Sequence, residues 1–243
     1  MKRLLILGGM TPDVTRLYYD TINRVTRTAL GHRHTAQMYV YSADLEVMVQ
    51  HASAGDWKSF ARVYVDAIEA LSGRVDGIVV SAILAHKVTA RLIQAANGIP
   101  LLHVADCVAQ RLQSQYPDIR TAGLLAPGIT MRDATDPDFF IGRLQSAEHG
   151  FRVLVPETED DLNAVSRGVL EEVAKGAAAV TPQTKAMFIS QAERLIKRGA
   201  QAIILGSTDL GFVVREEDLK PGTIVIEPAA IHAEEAARWA LEN

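Results

Sequence analysis

The strongest constraint on the fold is a regular alternation of short apolar runs with longer helical patterns. Eight runs are predicted as strands, at residues 3–7, 37–41, 77–80, 100–102, 121–125, 151–155, 202–205 and 223–226. Helices are predicted at residues 13–30, 57–72, 88–96, 106–115, 161–175, 182–198 and 229–241. Several strands lack polar alternation, which is typical of parallel strands covered on both faces. The alternation therefore predicts an α/β fold of parallel sheets flanked by helices.

A weak internal repeat divides the chain into two similar halves. The segment LLILGGMT is echoed by AGLLAPGIT, and DGIVVSAILAH is echoed by QAIILGSTDLG. A third pair, IPLLHVADCVAQRL and GTIVIEPAAIHAEEA, follows in the same order. Three echoes in one order predict two pseudo-symmetric Rossmann-like lobes, residues 1–115 and 116–227, with a cleft between them. We expect the closing helix, 228–243, to pack on the first lobe.

Composition excludes several classes of partner. A net charge of −4 and a pI near 6.0 provide no strong attraction to nucleic acid or to acidic membranes. No apolar run approaches the roughly 18 residues of a membrane helix, and the run at 4–7 is too short for a secretory signal. The single cysteine, Cys107, excludes an internal disulfide and a zinc site made of thiols. We therefore expect a cytoplasmic protein with neither nucleic-acid nor membrane partners.

Four turns follow predicted strands and contain small and hydroxyl residues. They lie at residues 8–11, 81–86, 128–130 and 207–211. Ligands of open parallel sheets bind beyond the carboxyl ends of the strands. Two facing lobes would bring these turns to one cleft, lined by hydroxyls and backbone N–H groups. Helix N-termini attract negative charge, so this cleft is predicted to take a small anion.

At these turns the sequence resembles the aspartate/glutamate racemase family. The resemblance is carried by LGGMTPDVTRLYYDTIN, LLAPGITM, LGSTDLG and EPAAIHAEEA, which follow one another in the family's order. It runs nearly from end to end, and the order of the motifs is its specific part. It implies an enzyme without a cofactor, a small-molecule substrate that is anionic or carbonyl-bearing, and a homodimer.

The resemblance also raises a chemical difficulty. In this family two cysteines, one from each lobe, flank the substrate α-carbon, and one removes a proton while the other returns one to the opposite face. The matching positions here are Ser81 and Ser207. A serine hydroxyl is far less acidic than a thiol and is a poor base without a helper. The family usually continues Cys-Thr-Asn-Thr, whereas Ser81 is followed by Ala-Ile-Leu, which indicates natural divergence and not an engineered substitution. Ordinary two-thiol racemisation is therefore not expected.

The turns and the resemblance together provide the candidate site residues. Candidates for catalysis are Ser81, Ser207, His86 and Asp209. Candidates for substrate binding are Gly9, Met10, Thr11, Thr15, Ala82, Ile83, Thr130 and Thr208. Neither a metal site nor a cofactor site is predicted.

Several candidates have an equally simple structural interpretation. Thr11 can bind a carboxylate or cap the helix that follows it. His86 and His103 can replace a thiol as base or pack against the next helix. The resemblance favours packing, because family members commonly have a histidine at both places beside their cysteines. Asp209 and Glu227 lie near strand ends, where a carboxylate can act as a base or cap a helix.

Three functions are consistent with these residues. The first is a diverged, cofactor-independent enzyme of the racemase superfamily that isomerises, decarboxylates or rearranges a small carboxylate or carbonyl compound. The second is a ligand-binding homologue without chemistry, and the third is an amino-acid racemase whose bases are not cysteines. Backbone N–H groups near Thr208 can stabilise an oxyanion in the first case. The apolar triplet after Ser81 favours a substrate with an apolar group, or no substrate at all.

Overall fold

The computed structural model of the protein describes residues 1–207 and 209–242. The contacts divide the chain into two compact units. Unit 1 comprises Met1–Val104 and the C-terminal segment that begins at Ala229, and unit 2 comprises Ala105–Pro228. Residues 105–115, which the sequence predicts in the first lobe, are grouped with unit 2 by their contacts.

Unit 1 contains a four-stranded parallel sheet with the order β2-β1-β3-β4. Its strands are β1 (Leu4–Gly8), β2 (Met38–Ser42), β3 (Gly77–Val80) and β4 (Leu101–Leu102). Its first helices are α1 (Pro12–Leu30), α2 (Leu45–Ser53), α3 (Trp57–Ala70) and α4 (Thr89–Ala96). A 3-10 turn, Leu84–Val88, lies between β3 and α4.

Unit 2 contains a second four-stranded parallel sheet, with the order β6-β5-β7-β8. Its strands are β5 (Thr121–Leu125), β6 (Arg152–Leu154), β7 (Ala202–Leu205) and β8 (Ile224–Ile226). Its helices are α5 (Val104–Gln115), α6 (Gly128–Arg132), α7 (Phe140–Leu144), α8 (Glu159–Arg167) and α9 (Pro182–Lys197). The last helix, α10 (Pro228–Leu241), returns the chain to unit 1.

The two sheets repeat one topology. Numbered within its own unit, each sheet has the order 2-1-3-4, and the three sequence echoes fall on the matching pairs β1 and β5, β3 and β7, and β4 and β8. The predicted α/β fold with two parallel sheets flanked by helices is therefore confirmed. No helix within residues 1–207 and 209–242 combines the length and the apolar character needed to cross a bilayer.

The sheet of unit 1 is covered on both faces, because alternate residues of β1 enter different clusters. Leu5 and Leu7 pack with residues of α3 and α4. Leu4 and Ile6 pack with residues of α1 and α10. All four side chains are fully buried, which explains why this strand shows no polar alternation.

Helix α2 is absent from the sequence-based prediction. Only Met48 and Ala52 are buried among its residues, so the helical spacing rests on a single pair. Val47 and Val49 are exposed, and their apolar character obscures the helical period. Asp44 begins the helix by accepting a hydrogen bond from the N–H of Glu46 at 2.9 Å.

The predicted helix at 161–175 is only partly α-helical. After α8 the chain forms a π-helical turn, Gly168–Glu172, and then a 3-10 turn, Val173–Lys175. A Cβ atom on Gly168 would lie 2.8 Å from Cζ of Phe188, so the glycine lets α9 pack closely at this point. Glycine is also a weak helix former, which is consistent with the change of helical type.

Candidate active site

The topology of each sheet indicates where a ligand site can form. In unit 1 the chain leaves β1 toward β2 and leaves β3 toward β4, on opposite sides of the sheet. Such a switch point creates a crevice beyond the carboxyl ends of the two central strands. The turns at 8–11 and 81–86 lie there, and we call them the unit 1 edge. The unit 2 edge comprises the residues that follow β5, β7 and β8.

The first turn of the unit 1 edge is held by the hydroxyl of Thr15. The N–H of Gly9 donates to Thr15 Oγ1 at 2.9 Å, and Thr15 Oγ1 donates to the carbonyl of Thr11 at 3.0 Å. Gly9 has a φ of +98°, and a Cβ atom there would overlap the backbone of Ala43. Glycine is therefore required by conformation and by space. The single hydroxyl hydrogen of Thr15 is used inside the turn.

Thr11 occupies the N-cap position of α1. It is 7% exposed, and its side chain makes no capping hydrogen bond to the helix within the described chain. The helix begins instead with Pro12, whose missing N–H needs no partner. Met10 is partly buried and packs against the apolar cluster that contains Leu5, Leu7 and residues of α3 and α4. The side chain of Thr11 therefore does not cap α1.

Ser81 begins the second turn of the unit 1 edge and is fully buried. Its N–H donates to the carbonyl of Leu7 at 2.9 Å, and its Oγ donates to the same oxygen at 3.3 Å. Ala82 and Ile83 are each 4% exposed, so the apolar triplet belongs mostly to the interior. The hydroxyl hydrogen of Ser81 is thus hydrogen-bonded to the neighbouring strand, β1.

His86 is fully buried and bonded to backbone through both ring nitrogens. The N–H of Val104 donates to Nε2 at 3.3 Å, so Nε2 carries no hydrogen. Nδ1 then carries the hydrogen and donates it to the carbonyl of Ala82 at 2.9 Å. These bonds describe a neutral imidazole that fixes the turn, which favours the packing role for His86 over the role of a base.

His86 belongs to a buried cluster of three histidines in unit 1. Its ring centroid lies 4.4 Å from that of His103 and 5.9 Å from that of His232. His232 Nε2 donates to the carbonyl of Leu102 at 3.0 Å, and its Nδ1 is hydrogen-bonded to the hydroxyl of Tyr18 at 2.9 Å. His232 is therefore used in packing between α10, α1 and β4.

The unit 2 edge begins with a turn fixed by Ser166 of α8. The N–H of Gly128 donates to Ser166 Oγ at 2.9 Å, and the N–H of Thr130 donates to the carbonyl of Pro127 at 2.9 Å. Thr130 is fully buried, and its Oγ1 has no hydrogen-bond partner among the described residues. A buried hydroxyl left without a partner costs about 1–3 kcal/mol, so such a group is ready for a further oxygen or N–H.

The second turn of the unit 2 edge follows β7. Ser207 is half-buried, and its carbonyl accepts from the N–H of Leu210 at 3.0 Å. Asp209 is 8% exposed, and its carbonyl accepts from the N–H of Phe212 at 3.1 Å, which forms the 3-10 turn Leu210–Phe212. Thr208, a predicted substrate contact, lies outside the described residues.

Glu227 directly follows β8 and reaches this second turn. A Cβ atom on Gly211 would lie 2.5 Å from Glu227 Oε2, so the carboxyl group rests against the α-carbon of the glycine. Glu227 remains accessible to solvent, but the atoms of the turn cover one side of its carboxyl group. Desolvation there raises the pKa of Glu227 above its ordinary value, against the opposing positive charge of Arg215.

The candidates therefore fall into two groups, one at the edge of each sheet. Sequence reasoning missed the residues that hold these turns. Tyr64 donates from its hydroxyl to the carbonyl of Gly8 at 3.1 Å, and burial raises the pKa of Tyr64, which keeps it a donor. Tyr64 and Ser166 come from helices distant in sequence, so no local pattern identifies them. Within the described residues, no three His, Cys, Asp or Glu side chains are arranged to hold a metal ion.

Comparison with known proteins agrees with this geometry. The sequence model of the Asp/Glu/hydantoin racemase family matches residues 7–236. The chain belongs to this family. A putative Asp/Glu racemase from Yersinia pestis is 33% identical, with 100% of both chains covered and a TM-score of 0.87. An aspartate racemase homologue from Pyrococcus horikoshii OT3 is 25% identical, with 100% of both chains covered and a TM-score of 0.77.

A more distant likeness concerns the fold alone. The aspartate racemase of Picrophilus torridus is 17% identical, with 98% of this chain and 95% of that chain covered and a TM-score of 0.71. The resemblance indicated by the sequence motifs is thus confirmed at the level of the family and of the fold.

This member of the Asp/Glu/hydantoin racemase family has a single cysteine in its sequence. Cys107 lies on α5 and is 6% exposed. Because one cysteine cannot supply two thiols, a single chain of this protein cannot run proton transfer between a pair of them.

Proposed function

We propose that this protein is a cofactor-independent enzyme of the isomerase or racemase type that acts on a small carboxylate or carbonyl compound without a pair of thiols. The observation that carries the proposal is the match of residues 7–236 to a racemase family in a chain whose one cysteine is buried. The match supports chemistry at a carbon next to a carbonyl group. The lone cysteine requires that other groups move the proton.

Each unit has residues that we propose as substrate contacts. In unit 1 these are the turn Gly9–Thr11, where the N–H of Gly9 already donates to Thr15, so that Met10 and Thr11 would make the contacts. In unit 2, Ser207 and Thr208 stay proposed contacts on the strength of the sequence. Thr130 is fully buried, and its Oγ1 lacks a partner among the described residues. We propose that a movement of its turn exposes this hydroxyl to a carboxylate or carbonyl oxygen of the substrate. Thr15 is proposed to hold the turn, since its hydroxyl already bonds within it.

The predicted catalytic residues differ in what supports them. Ser207 and Asp209 stay proposed members of the site at the unit 2 edge. For Ser81 and His86 the hydrogen bonds to Leu7, Ala82 and Val104 support a role in holding the turn. An engaged hydroxyl and a neutral imidazole with both nitrogens bonded to backbone are poorly prepared to accept a proton.

The hydrogen bonds that engage Ser81 and His86 also favour a second candidate, a homologue that binds a ligand without converting it. Neither predicted catalytic residue of the unit 1 edge is ready to accept a proton, while the unsatisfied hydroxyl of Thr130 suits binding. An amino-acid racemase with bases other than cysteine would need two proton-transferring groups.

We further propose a cytoplasmic homodimer. The dimer is supported by the resemblance to the family, and the cytoplasm by a sequence that cannot form an internal disulfide. Size-exclusion chromatography with light scattering tests the dimer directly, and a monomer across the concentrations used for activity would contradict it.

Proton NMR in D₂O tests the function. The probes are both enantiomers of aspartate and glutamate, 5-substituted hydantoins and monosubstituted malonates. We expect the α-proton signal of at least one probe to disappear faster than without protein, and Ser207→Ala to slow this loss. Ser114→Ala, on the exposed face of α5, is the matched control. A probe that raises the melting temperature without exchange would support the binding homologue, and no response to any probe would contradict both candidates.

A further inference from the structure

The two edges differ in the groups that can move a proton. At the unit 1 edge, the hydroxyl of Ser81 donates to Leu7, the hydroxyl of Thr15 donates to Thr11, and both nitrogens of His86 bond to backbone. At the unit 2 edge, the carboxyl group of Glu227, for which the sequence left a base and a helix cap as alternatives, stands beside the turn that carries Ser207. The asymmetry raises the question of which group performs proton transfer.

Glu227 satisfies the geometric requirements for that role. It follows β8 directly, and β8 pairs in parallel with β7, so its carboxyl group stands at the carboxyl end of the sheet beside the turn after β7. Its Oε2 rests against Gly211, at a position that any larger residue at 211 would fill. Its side chain is accessible, whereas Asp209 is 8% exposed. A general base must be both positioned and reachable.

We propose that Glu227 is the catalytic residue that removes and returns the substrate proton at the unit 2 edge, acting as a single base. This inference rests on the proposed function, because it presupposes that the protein acts on a carbon acid. It adds a residue in place of the missing thiols. A single base that returns the proton to the same face of the same carbon exchanges hydrogen without net conversion, so the inference supports an isomerase that moves a proton between neighbouring atoms and not a racemase.

The proposed step balances without any further reagent. The bond between the α-carbon and its hydrogen breaks, the proton moves to a carboxylate oxygen of Glu227, and the electron pair enters the neighbouring carbonyl or carboxylate as an enolate. The protonated Glu227 then returns a proton on the same face, to a neighbouring atom of the enolate in isomerisation or to the same carbon in simple exchange. In D₂O the acid exchanges its proton with solvent before return, so the carbon acquires deuterium.

The surroundings of Glu227 suit a group that must be protonated and deprotonated in turn. Partial burial against the turn raises its pKa, and Arg215 lowers it by its charge. The guanidinium of Arg215 also lies near a second carboxylate, with its Nη1 3.7 Å from Glu217 Oε1. The buried carboxylate of Asp209 in the same turn is the other acidic group to test.

A single base makes a stereochemical prediction. The proton leaves and returns on one face of the carbon, so deuterium enters with retention of configuration. Two bases on opposite faces would instead invert the centre as fast as they exchange it. Comparing the rate of deuterium entry by NMR with the rate of inversion by chiral chromatography distinguishes the two.

The experiment applies both measurements to the full chain with the probe that exchanges fastest. Glu227→Gln removes the base and keeps the shape, and we expect exchange to fall by about 10²–10⁴-fold. Gly211→Ala displaces the carboxyl group, and we expect a lower kcat with a nearly unchanged KM. Glu171→Gln, which alters an exposed carboxylate of unit 2, is the control and should keep the wild-type rate. Thermal melts check that each variant folds.

The outcomes separate this inference from the proposed function. Exchange with retention that is lost in Glu227→Gln supports it. Exchange that persists in Glu227→Gln, or that is lost in Asp209→Asn alone, overturns the role of Glu227 and leaves the proposed function standing. Inversion that keeps pace with exchange overturns the single base. A wild-type protein that exchanges none of the probes overturns the proposed function, and this inference with it.

Discussion

The Oγ of Ser81 donates to the carbonyl of Leu7 across 3.3 Å, and the N–H of Ser81 donates to the same oxygen across 2.9 Å. This pair of bonds joins the end of β3 to the end of β1 at the switch point of the first sheet. Because the carbonyl already has a backbone donor, the hydroxyl adds a second bond to a satisfied acceptor. The resemblance to the family implies a thiol at position 81. The hydroxyl of Ser81 instead stabilises the backbone.

Ser81→Ala should therefore be tolerated. The carbonyl of Leu7 keeps its bond to the N–H of residue 81, so we expect the free energy of unfolding to fall by about 0.5–1.5 kcal/mol. Urea denaturation measures this change. A loss beyond about 3 kcal/mol would mean that the hydroxyl satisfies another buried group, and the turn would need a different explanation.

Thr130→Val tests the unpartnered hydroxyl of the unit 2 edge. The replacement keeps the shape and removes a buried polar atom that has no partner among residues 1–207 and 209–242. We expect unfolding to require about 1 kcal/mol more free energy, because the desolvated hydroxyl is gone. We also expect weaker binding of any probe that exchanges, measured as a higher KM.

Thr26→Val is the matched control for this prediction. Thr26 lies on α1, is fully buried, and its Oγ1 also has no partner in the described part of the chain. We expect a similar gain in stability and an unchanged KM. If both variants change KM equally, Thr130 has no special relation to the substrate.

Gly9→Ala should be strongly destabilising. The residue has a φ of +98°, and its Cβ atom would overlap the backbone of Ala43. Backbone strain alone costs about 1–3 kcal/mol, and the overlap adds to it. Gly31→Ala is the control, because Gly31 has a φ of +72° with open space around it. Thermal melts should show a clearly larger loss for Gly9→Ala, and equal losses would contradict the close approach to Ala43.

Acid should weaken an ionic cluster of unit 2 centred on Asp106. Its carboxylate accepts from Arg143 Nε at 2.6 Å and lies 2.8 Å from His149 Nε2. Burial raises the pKa of Asp106, but the bonds and charges of Arg143 and His149 outweigh it and hold the pKa below its ordinary value. A lowered pKa means that this stabilisation is present above the unfolded value near 3.9 and is lost as pH falls through the folded value.

Asp106→Asn measures this contribution. We expect the variant to lose about 1.5–3 kcal/mol of unfolding free energy at pH 7, the range for hydrogen bonds to charged groups. The difference from wild type should shrink as urea denaturation is repeated at falling pH, toward and below about pH 4. A difference that stays constant down to the lowest pH would contradict the lowered pKa.

The sequence predicted the architecture well, because the signal for a buried parallel strand is local. Runs such as 77–80 and 202–205 read as strands from their own residues, and the repeat of motifs anticipated two sheets of one topology. The hydrogen bonds of the site depend instead on distant partners. Nothing near His86 in sequence indicates that the N–H of Val104 occupies its Nε2, and nothing near Gly128 indicates Ser166. Helix α2 was missed for a related reason, since only two of its residues are buried.

Glu227 should show opposite effects on stability and on activity. Its raised pKa means that the folded chain holds the proton more tightly than the unfolded chain does. The related stability is therefore present below the unfolded pKa and is lost as pH rises through the folded value. Near neutral pH the ionised carboxylate is a cost to folding, and Glu227→Gln removes it. We therefore expect this variant to melt at a higher temperature than wild type at pH 8, with little difference near pH 4.

The activity should change in the reverse direction, because a base works only when it is deprotonated. We expect kcat/KM for deuterium exchange to rise with pH through a midpoint above the ordinary glutamate range, which lies near 4.3. In Gly211→Ala the carboxyl group moves away from the turn and into solvent, so this midpoint should move down toward the ordinary value. A midpoint that is the same in both proteins would show that another group limits the reaction. A gain in stability joined to a loss of rate in Glu227→Gln would identify a carboxyl group retained for chemistry at the expense of folding.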